Sequence, residues 1–276
     1  MVKLICTDID GTLLNKNREV DAYTVKVFKQ LAGKFEIILA SSRMPKALFY
    51  IQNELDIEEM PLICYNGALI LSRGETFDNY KIIDSITILP EITHSVIELA
   101  ESQNVHISIF YNNTWIASEM DLWTEREMNN TRVKPDLILS DLSKKEKEKK
   151  RTYAAHKIML MGASYQIDSI EEALVSKPTV AICRSKDTYL EITPIGTDKS
   201  KGLQILLNKV NHYREIKMEN IMAFGDNYND FELLKDVKYG IAVANGQQKI
   251  KDIAYAVTKS NYDNGVAFYL DETFLK

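Results

Sequence analysis

Two aspartates near the start of the chain have the residue type and spacing that could do chemistry. They are Asp8 and Asp10 in the stretch ICTDIDGTLLN, where Gly11 breaks an apolar run typical of a β-strand. Side chains two positions apart in extended backbone point to the same side, so the two carboxylates would share one space. Like charges that close repel each other unless a cation or a proton intervenes. The spacing therefore predicts a positively charged ligand at this position.

Further polar side chains stand at the ends of other predicted strands, or at the start of a predicted helix. They are Ser41, Ser42, Arg43, Lys199, Asp226, Asn229 and Asp230. The first three follow the apolar run FEIILA, the last three follow NIMAF, and the lysine lies in GTDKSKG just before a helical pattern. Open parallel sheets bind ligands outside the carboxyl ends of their strands. We therefore expect all of these residues to lie close to the first two carboxylates.

The chemistry suggested by this set is phosphoryl transfer. Carboxylates without histidine or cysteine nearby suit a hard cation with oxygen ligands, and Mg²⁺ fits best because it keeps coordination positions for substrate phosphate. A lysine and short hydroxyl side chains beside a metal are suited to bind phosphate. An aspartate in such a site can attack phosphorus to form an aspartyl-phosphate, with the metal and Lys199 screening the negative charges from each other.

The elements that must position these residues alternate between strands and helices over the first eighty residues. The segments VKLICTDI, FEIILASS and PLICYNGALIL have strand composition, and the patterns VDAYTVKVFKQLAGK and MPKALFYIQNEL between them are helical. The third segment is predicted to form two short strands joined by a tight turn at Asn66-Gly67. Near-continuous apolar strands alternating with helices predict an α/β fold with a parallel sheet covered on both faces.

The middle of the chain has a different pattern. Segments such as HISIFYNNTWIASE, AHKIMLMGAS and PTVAICRS alternate apolar and polar residues, with helical patterns between them, which predicts an α+β domain with an antiparallel sheet. The first pattern returns from about Tyr189. We therefore predict an α/β core formed by residues 1–82 and 189–276, and an inserted α+β cap domain formed by residues 83–188.

The charge of the chain argues against nucleic acid as the main partner. The 276 residues carry a net charge of −5, with no broad basic excess. The run SKKEKEKKR at 143–151 is predicted to be a solvated helix capped by Ser143, because Glu146 and Glu148 interrupt its positive charge.

The apolar content and the cysteines predict a cytoplasmic protein. No apolar run approaches the roughly 20 residues that a membrane span needs, and charges interrupt the first residues where a signal peptide would be apolar. The three cysteines Cys6, Cys64 and Cys183 are widely spaced, so we expect them to be reduced and buried. No obligate protein partner is evident from the sequence.

Four segments in order along the chain resemble the motifs of the haloacid dehalogenase (HAD) superfamily, in particular Cof-like phosphatases of type IIB with a large inserted cap. DIDGTLL resembles the first motif, LASSR the second, DKSKG the third and GDNYND the fourth, and YNGALI and SNYDNGVA also resemble sequences of this subgroup. Ser42 replaces the glycine that is usual in the second motif. The resemblance implies a Rossmann-like core with an inserted α+β cap, and a phosphatase that uses Mg²⁺.

The resemblance also assigns roles to individual residues. Asp8 would be the nucleophile and a Mg²⁺ ligand, Asp10 would be the general acid/base with its backbone carbonyl on the metal, and Asp226 would be a metal ligand. Phosphate contacts are predicted at Ile9, Ser41, Ser42, Lys199 and Asn229, and supporting roles at Thr12, Arg43 and Asp230. For Thr12 we expect a hydroxyl–backbone hydrogen bond that holds the loop.

One assignment is ambiguous from the sequence. Lys199 and Lys201 are two positions apart in DKSKG, so only one of them can readily face the site. Lys199 lies three residues before Gly202, which is the spacing of the motif it resembles. The prediction is therefore Lys199.

The predicted function is Mg²⁺-dependent hydrolysis of small phosphorylated metabolites, and sugar phosphates are the class that the resemblance implies. A phosphomutase or phosphotransferase shares the aspartyl-phosphate step, with a sugar hydroxyl instead of water as acceptor. A phosphorelay receiver also combines carboxylates, Mg²⁺, a hydroxyl and a lysine on a parallel sheet. Two features argue against a receiver. The carboxylate of Asp10 provides a general acid/base for turnover, and the insertion of about 100 residues exceeds what a receiver needs.

Overall fold

The computed structural model describes residues 1–72, 80–142, 154–175 and 179–276, which form two compact units. The core unit contains Met1–Asp84 and Asp198–Lys276, and the inserted unit contains Ser85–Thr197. The helix predicted for the charged run at 143–151 lies outside the described residues. None of the helices in the described ranges is long and apolar enough to cross a membrane.

The core unit is built on a sheet in which eight described strands lie in the order β14-β13-β12-β1-β2-β3-β4-β5. The strands are β1 Leu4–Thr7, β2 Glu36–Ala40, β3 Leu62–Cys64, β4 Leu69–Ser72, β5 Lys81–Ser85, β12 Ile221–Gly225, β13 Tyr239–Val243 and β14 Ala256–Thr258. The six strands from β14 to β3 in this order pair in parallel, as predicted, and β4 is antiparallel to β3. The first strand of the chain is therefore central, which places the residues that follow it at the middle of one sheet edge.

Helices flank this sheet. They are α1 Ala22–Leu31, α2 Lys46–Leu55, α6 Lys199–Lys209, α7 Phe231–Asp236, α8 Gln248–Ile253 and α9 Gly265–Phe274. One apolar cluster packs Leu203, Leu206 and Leu207 of α6 against strand residues such as Ile38 and Ala223. Burial of this apolar helix face fixes α6, whose first residue is Lys199, against the sheet.

The inserted unit contains a second sheet of six described strands in the order β10-β11-β9-β6-β7-β8. They are β6 His106–Tyr111, β7 Thr114–Ala117, β8 Leu137–Ile138, β9 Lys157–Met161, β10 Val180–Lys186 and β11 Tyr189–Pro194. Pairing is antiparallel, as predicted, except between β7 and β8, which are parallel. Helices α3 Pro90–Ser102 and α5 Ser164–Val175 contribute apolar residues to the cluster on one sheet face.

The helix α4 Leu122–Thr131 was not predicted from the sequence. Its only buried residues are Thr124 and Thr131, so it has no apolar stripe to reveal a helical period. Its start is instead defined by Asp121, whose carboxylate accepts hydrogen bonds from the N–H groups of Trp123 and Thr124.

The boundary predicted at residue 189 differs from the division of the structure. Strand β11 pairs with β9 and β10 and alternates buried and half-buried residues, so it belongs to the inserted unit, which ends at Thr197. The prediction placed the return of the core pattern before this strand, whereas the next core element is the helix that begins at Lys199. The earlier boundary, predicted after residue 82, falls after Asp84.

The cysteines follow the prediction in part. All three are free thiols; Cys6 in β1 and Cys64 in β3 are buried, whereas Cys183 in β10 is exposed. Burial raises the pKa of Cys6 to about 12 and also raises the pKa of Cys64. The expectation that Cys183 is buried was wrong: its neighbour Ile182 packs against the apolar cluster of the inserted unit, and successive residues of a strand point to opposite faces of the sheet.

Candidate active site

Asp8 lies directly after β1, between the ends of two parallel neighbours. Its N–H donates to the carbonyl of Phe224 in β12 at 3.0 Å, and the residue is 4% exposed. The loops that follow β2 and β12 carry Ser41 and Asp226 respectively. The carboxyl ends of these three strands therefore bring together the regions that the sequence predicted would meet.

Three aspartates form an acidic cluster around this strand end. Carboxylate oxygens of Asp8, Asp226 and Asp230 lie within 4.8 Å of one another. Burial raises the pKa of Asp226 to about 6, and repulsion by Asp230 adds to this effect. Burial also raises the pKa of Asp8 well above its usual range, with repulsion from Asp230 and Asp226, although the charge of Lys199 opposes the rise. An all-oxygen donor set with mutual repulsion fits a hard divalent cation such as Mg²⁺.

Lys199 enters this cluster as the first residue of α6. Its side chain is fully buried, and Nζ donates to Oδ1 of Asp8 at 2.5 Å and to Oδ1 of Asp230 at 2.6 Å. Burial alone would lower the pKa of this amine, but the charges and hydrogen bonds of Asp230 and Asp8 raise it above its usual range. The ammonium group is therefore held next to Asp8.

Lys201 takes the other direction. Its side chain is 56% exposed and pairs with Asp198, the N-cap of α6, at 3.2 Å. Of the two lysines that the sequence left open, the structure brings only Lys199 to Asp8.

Asp230 organises the loop that carries Asp226. Its Oδ2 accepts the N–H groups of Asp226 at 2.9 Å and Asn227 at 3.1 Å, while its Oδ1 accepts from Lys199. A Cβ at Gly225 would lie 2.5 Å from Cβ of Asp230, so only glycine fits where β12 ends. Asp230, predicted to have a supporting role, thus links the ammonium group of Lys199 to the backbone of Asp226 through its carboxylate.

The carboxylate of Asp10 lies outside the acidic cluster, in contrast to the predicted convergence of Asp8, Asp10 and Asp226. Arg43 donates from Nε to Oδ2 of Asp10 at 2.6 Å and from Nη2 to Oδ1 at 2.7 Å, and Arg18 Nη1 donates to Oδ1 at 2.8 Å. Burial acts to raise the pKa of Asp10, but the hydrogen bonds and charge of Arg43, with the charge of Arg18, hold it below its usual value.

Arg18 was not singled out from the sequence. It lies in a loop with a left-handed backbone (φ 59°), and only tertiary structure brings it to Asp10. Arg43, in contrast, was predicted to support the site, and its side chain is only 4% exposed.

Gly11 and Thr12 hold the first loop against Asp226. The hydroxyl of Thr12 donates to Oδ1 of Asp226 at 3.0 Å, so its partner is a carboxylate rather than the backbone group that we predicted. Gly11 has φ +82°, and a Cβ there would lie 2.5 Å from Oδ2 of Asp226. The loop after β1 therefore packs directly on the carboxylate that follows β12.

The residues predicted to bind phosphate differ in their burial and in their hydrogen bonds. The hydroxyl of Ser41 is buried and accepts the N–H of Arg43 at 3.2 Å, whereas Ser42 is half-buried. Ile9 is fully buried, and its carbonyl accepts from Leu13 and Leu14 at 3.0 Å, so a phosphate contact there would come from its backbone N–H.

Asn229 contacts the turn that we predicted at Asn66-Gly67. It is exposed, and its Nδ2 donates to Oδ1 of Asn66 at 3.1 Å. Tyr65, Asn66 and Gly67 all have positive φ, at 51°, 53° and 93°. A Cβ on Gly67 would lie 2.3 Å from the carbonyl oxygen of Asp198, so the glycine permits close approach of this turn to the start of α6. The NG pair signalled the turn in the sequence, but its contacts are visible only in the fold.

Comparison with protein families gives one match over nearly the whole chain. Residues 5–270 match the haloacid dehalogenase-like hydrolase family. A Haemophilus influenzae protein that is provisionally named a phosphatase is 29% identical over 99% of both chains. The 5-amino-6-(5-phospho-D-ribitylamino)uracil phosphatase YitU of Bacillus subtilis is 27% identical over 98% of this chain and 97% of its own.

Solved structures agree on the fold. A haloacid dehalogenase-like hydrolase from Bacteroides thetaiotaomicron superimposes with a TM-score of 0.85 and 23% identity, covering 99% of this chain and 100% of its own. The sugar phosphatase BT4131 of HAD subclass IIB superimposes with a TM-score of 0.78 and 20% identity over 98% of both chains. With its α/β core, its inserted α+β unit and Asp8 beside a buried lysine, the chain belongs to the haloacid dehalogenase-like hydrolase family, as a Cof-like phosphatase.

Proposed function

We propose that this enzyme hydrolyses phosphomonoesters of small metabolites in the cytoplasm, with Mg²⁺ as cofactor and an aspartyl-phosphate on Asp8 as intermediate. The observation that carries the proposal is the position of Asp8, whose carboxylate contacts the ammonium group of Lys199 and lies within 4.8 Å of Asp226 and Asp230. A buried nucleophile held beside a fixed positive charge is the arrangement that phosphoryl transfer requires.

The donor set fits Mg²⁺. Asp8 and Asp226 would hold the ion through carboxylate oxygens, with the backbone carbonyl of Asp10 as the family resemblance implies, and Asp230 would stay on Lys199 and the loop N–H groups. When bound, Mg²⁺ supplies charge neutralisation between the carboxylate nucleophile and the incoming phosphoryl group.

The proposed reaction consists of two successive displacements at phosphorus. In the first, an oxygen of Asp8 forms a bond to phosphorus while the bond to the leaving oxygen breaks, and Asp10, which must be protonated once the substrate is bound although its pKa is lowered in the free site, gives that oxygen its proton. In the second, Asp10 takes a proton from water, whose oxygen displaces the Asp8 carboxylate and releases inorganic phosphate. Lys199 holds Asp8 throughout, and Ile9, Ser41, Ser42 and Asn229 are the proposed phosphate contacts.

The proposed substrates are phosphorylated sugars and phosphorylated polyol chains. Two comparisons support this class: YitU is named for a substrate with a phosphorylated ribityl chain, and BT4131 is named a sugar phosphatase. We propose that the inserted unit selects among such substrates, since all the residues proposed for chemistry belong to the core unit.

The proposal is tested by measuring phosphate release from a panel of phosphorylated metabolites and from p-nitrophenyl phosphate with Mg²⁺. EDTA should abolish release, Mg²⁺ should restore it, and Ca²⁺ should support it poorly because its looser coordination shell need not align nucleophile and phosphorus. Asp8→Asn is the matched variant and should show essentially no turnover.

Three results would overturn the proposal. Full activity in metal-free buffer would exclude the metal, and transfer of phosphate between two sugars would indicate a mutase. A phosphoprotein that persists for minutes to hours without turnover would indicate a receiver.

A further inference from the structure

Two asparagines outside the acidic cluster hold the loop that carries Asp8. Asn245 follows β13, and its Nδ2 donates to the carbonyl of Gly11 at 2.7 Å. Asn261 follows β14, is 4% exposed, and its Nδ2 donates to the carbonyl of Leu14 at 2.8 Å. Both side chains thus bind backbone carbonyls of the segment that begins with the nucleophile.

The two asparagines also bind each other. The backbone N–H of Asn261 donates to Oδ1 of Asn245 at 2.9 Å. The side chain of Asn245 therefore accepts from the turn after β14 while it donates to the loop after β1, and a substitution that removes the amide breaks both links. Because the Asn245 amide donates one hydrogen bond through Nδ2 and accepts another through Oδ1, its orientation is fixed.

The turn that contains Asn245 also contacts the backbone of Asp226. The N–H of Gln247 donates to the carbonyl of Asp226 at 2.8 Å, and a Cβ on Gly246 would lie only 3.0 Å from the same oxygen. One turn therefore holds the backbone of Gly11 and the backbone of Asp226. Those two residues are in direct contact, since Gly11 has no room for a Cβ beside the Asp226 carboxylate.

We propose that Asn245 and Asn261 are positioning residues of the metal site, which fix the separation of the Asp8 and Asp226 carboxylates. This inference rests on the Mg²⁺ site of the proposed function. The separation of the two carboxylates depends on loops that follow different strands, and the asparagines bind one loop while their turn binds the other. Mg²⁺ demands near-ideal octahedral geometry, so small displacements of its ligands weaken binding.

The test is the affinity of the full chain for Mg²⁺ without substrate, measured by isothermal titration calorimetry. Asn245→Ala should bind Mg²⁺ about 10-fold more weakly, the lower end of the effect of removing a group that orients a metal ligand. Asn261→Ser is the second variant, and Asn208→Ala, an exposed substitution on α6, is the matched control that should bind as the wild type does. A purely structural role would lower the melting temperature without changing the affinity of the folded protein.

The outcomes separate this inference from the proposed reaction. Weaker Mg²⁺ binding in the variants supports the inference even if no phosphate is released from any substrate. Folded variants that bind Mg²⁺ as the wild type does overturn it, and Asn261→Ser decides if Asn245→Ala does not fold. A wild type that gives no Mg²⁺ signal overturns both the metal site of the proposed function and the inference.

Discussion

The guanidinium group of Arg43 holds the carboxylate of Asp10 through two hydrogen bonds, at 2.6 Å from Nε and 2.7 Å from Nη2. The two residues follow neighbouring parallel strands, β1 and β2. A planar guanidinium group that donates two hydrogen bonds to one carboxylate fixes the direction of the carboxylate as well as its distance. The side chain proposed as general acid/base is therefore oriented by the loop after β2.

Replacing Arg43 by lysine should keep the positive charge and lose the paired hydrogen bonds to Asp10. We expect kcat to fall about 10- to 100-fold on an alkyl phosphate, since misplacement of a proton donor is costly, and to fall much less on p-nitrophenyl phosphate, whose leaving group needs little protonation. Arg18→Lys is the control and should change kcat by less than about twofold, because the Arg18 side chain is 46% exposed. Equal losses on both substrates would contradict a role through Asp10.

Replacing Asp10 itself by asparagine should show the same leaving-group dependence more strongly. We expect a loss of about 10²–10⁴-fold on alkyl phosphates, the usual contribution of general acid/base catalysis. In an Asp10→Asn background, Arg43→Lys should have little further effect on kcat, because the two residues act as a unit. Additive losses in this double-mutant cycle, with folding confirmed by circular dichroism, would refute the assignment.

Removing the ammonium group of Lys199 should destabilise the core unit. Lys199→Met would leave Asp8 and Asp230 buried without their partner, and breaking such a buried pair costs about 3–5 kcal/mol. Thermal unfolding in EDTA measures the loss, and added Mg²⁺ should recover part of it by neutralising Asp8, one of the two carboxylates left without their partner. Lys201→Met is the matched control, since that side chain is exposed, and a comparable loss there would contradict the structure.

A methyl group at Gly67 should disturb the turn that packs on the start of α6. Gly67 has φ +93°, and a Cβ would lie 2.3 Å from the carbonyl oxygen of Asp198, so Gly67→Ala combines backbone strain with a clash against backbone. We expect a loss of about 3 kcal/mol or more in unfolding free energy, against about 1 kcal/mol for Gly33→Ala. Gly33 is a fair control because its φ is +77° and nothing lies within 4 Å. Similar losses at both positions would show that the clash is relieved.

The inserted unit should lose stability as the pH falls below neutrality. His156 is fully buried, its Nδ1 accepts the N–H of Asn112, its Nε2 contacts the hydroxyl of Ser85, and burial lowers its pKa from 6.5 to about 4. The unfolded chain binds a proton below about pH 6.5, whereas the folded chain binds it only below about pH 4. Stability is therefore lost between these values, by about 2 kcal/mol from pH 7 to pH 5.

Urea unfolding followed by tryptophan fluorescence measures this loss in the right unit, because both tryptophans, Trp115 and Trp123, lie in the inserted unit. His156→Gln should reduce the loss by about the same 2 kcal/mol. Burial also lowers the pKa of His106, which contributes a loss of the same sign that remains in the variant. An unchanged pH dependence in His156→Gln would exclude His156 as its source.

Local pattern was enough to predict the parallel core, the antiparallel insert and the meeting of Asp8, Ser41 and Asp226 at one sheet edge. Each of these follows from apolar strands that end in polar residues, a signal contained in a few neighbouring positions. The approach of a lysine to this site was predicted from its place at the start of a helix, although the choice between Lys199 and Lys201 needed the family resemblance. The fold then showed which of them is buried.

Contacts between distant segments could not be predicted in the same way. Arg18 and Arg43 reach Asp10 from two loops, and Thr12 reaches Asp226 across 214 positions of the chain. Nothing in the composition of either segment specifies such a partner. Helix α4 was missed for a different reason: it buries so little apolar surface that its capping residue Asp121 was the main sign of its start.

The unequal burial of the three thiols allows one cysteine of the native chain to be labelled selectively. Cys6 and Cys64 are inaccessible, so a maleimide fluorophore should attach at Cys183 alone in the folded protein. Partial desolvation of the thiol and the charge of Glu191 raise the pKa of Cys183, so the coupling needs a mildly alkaline buffer. A dye placed there would label the inserted unit alone, without any engineered cysteine.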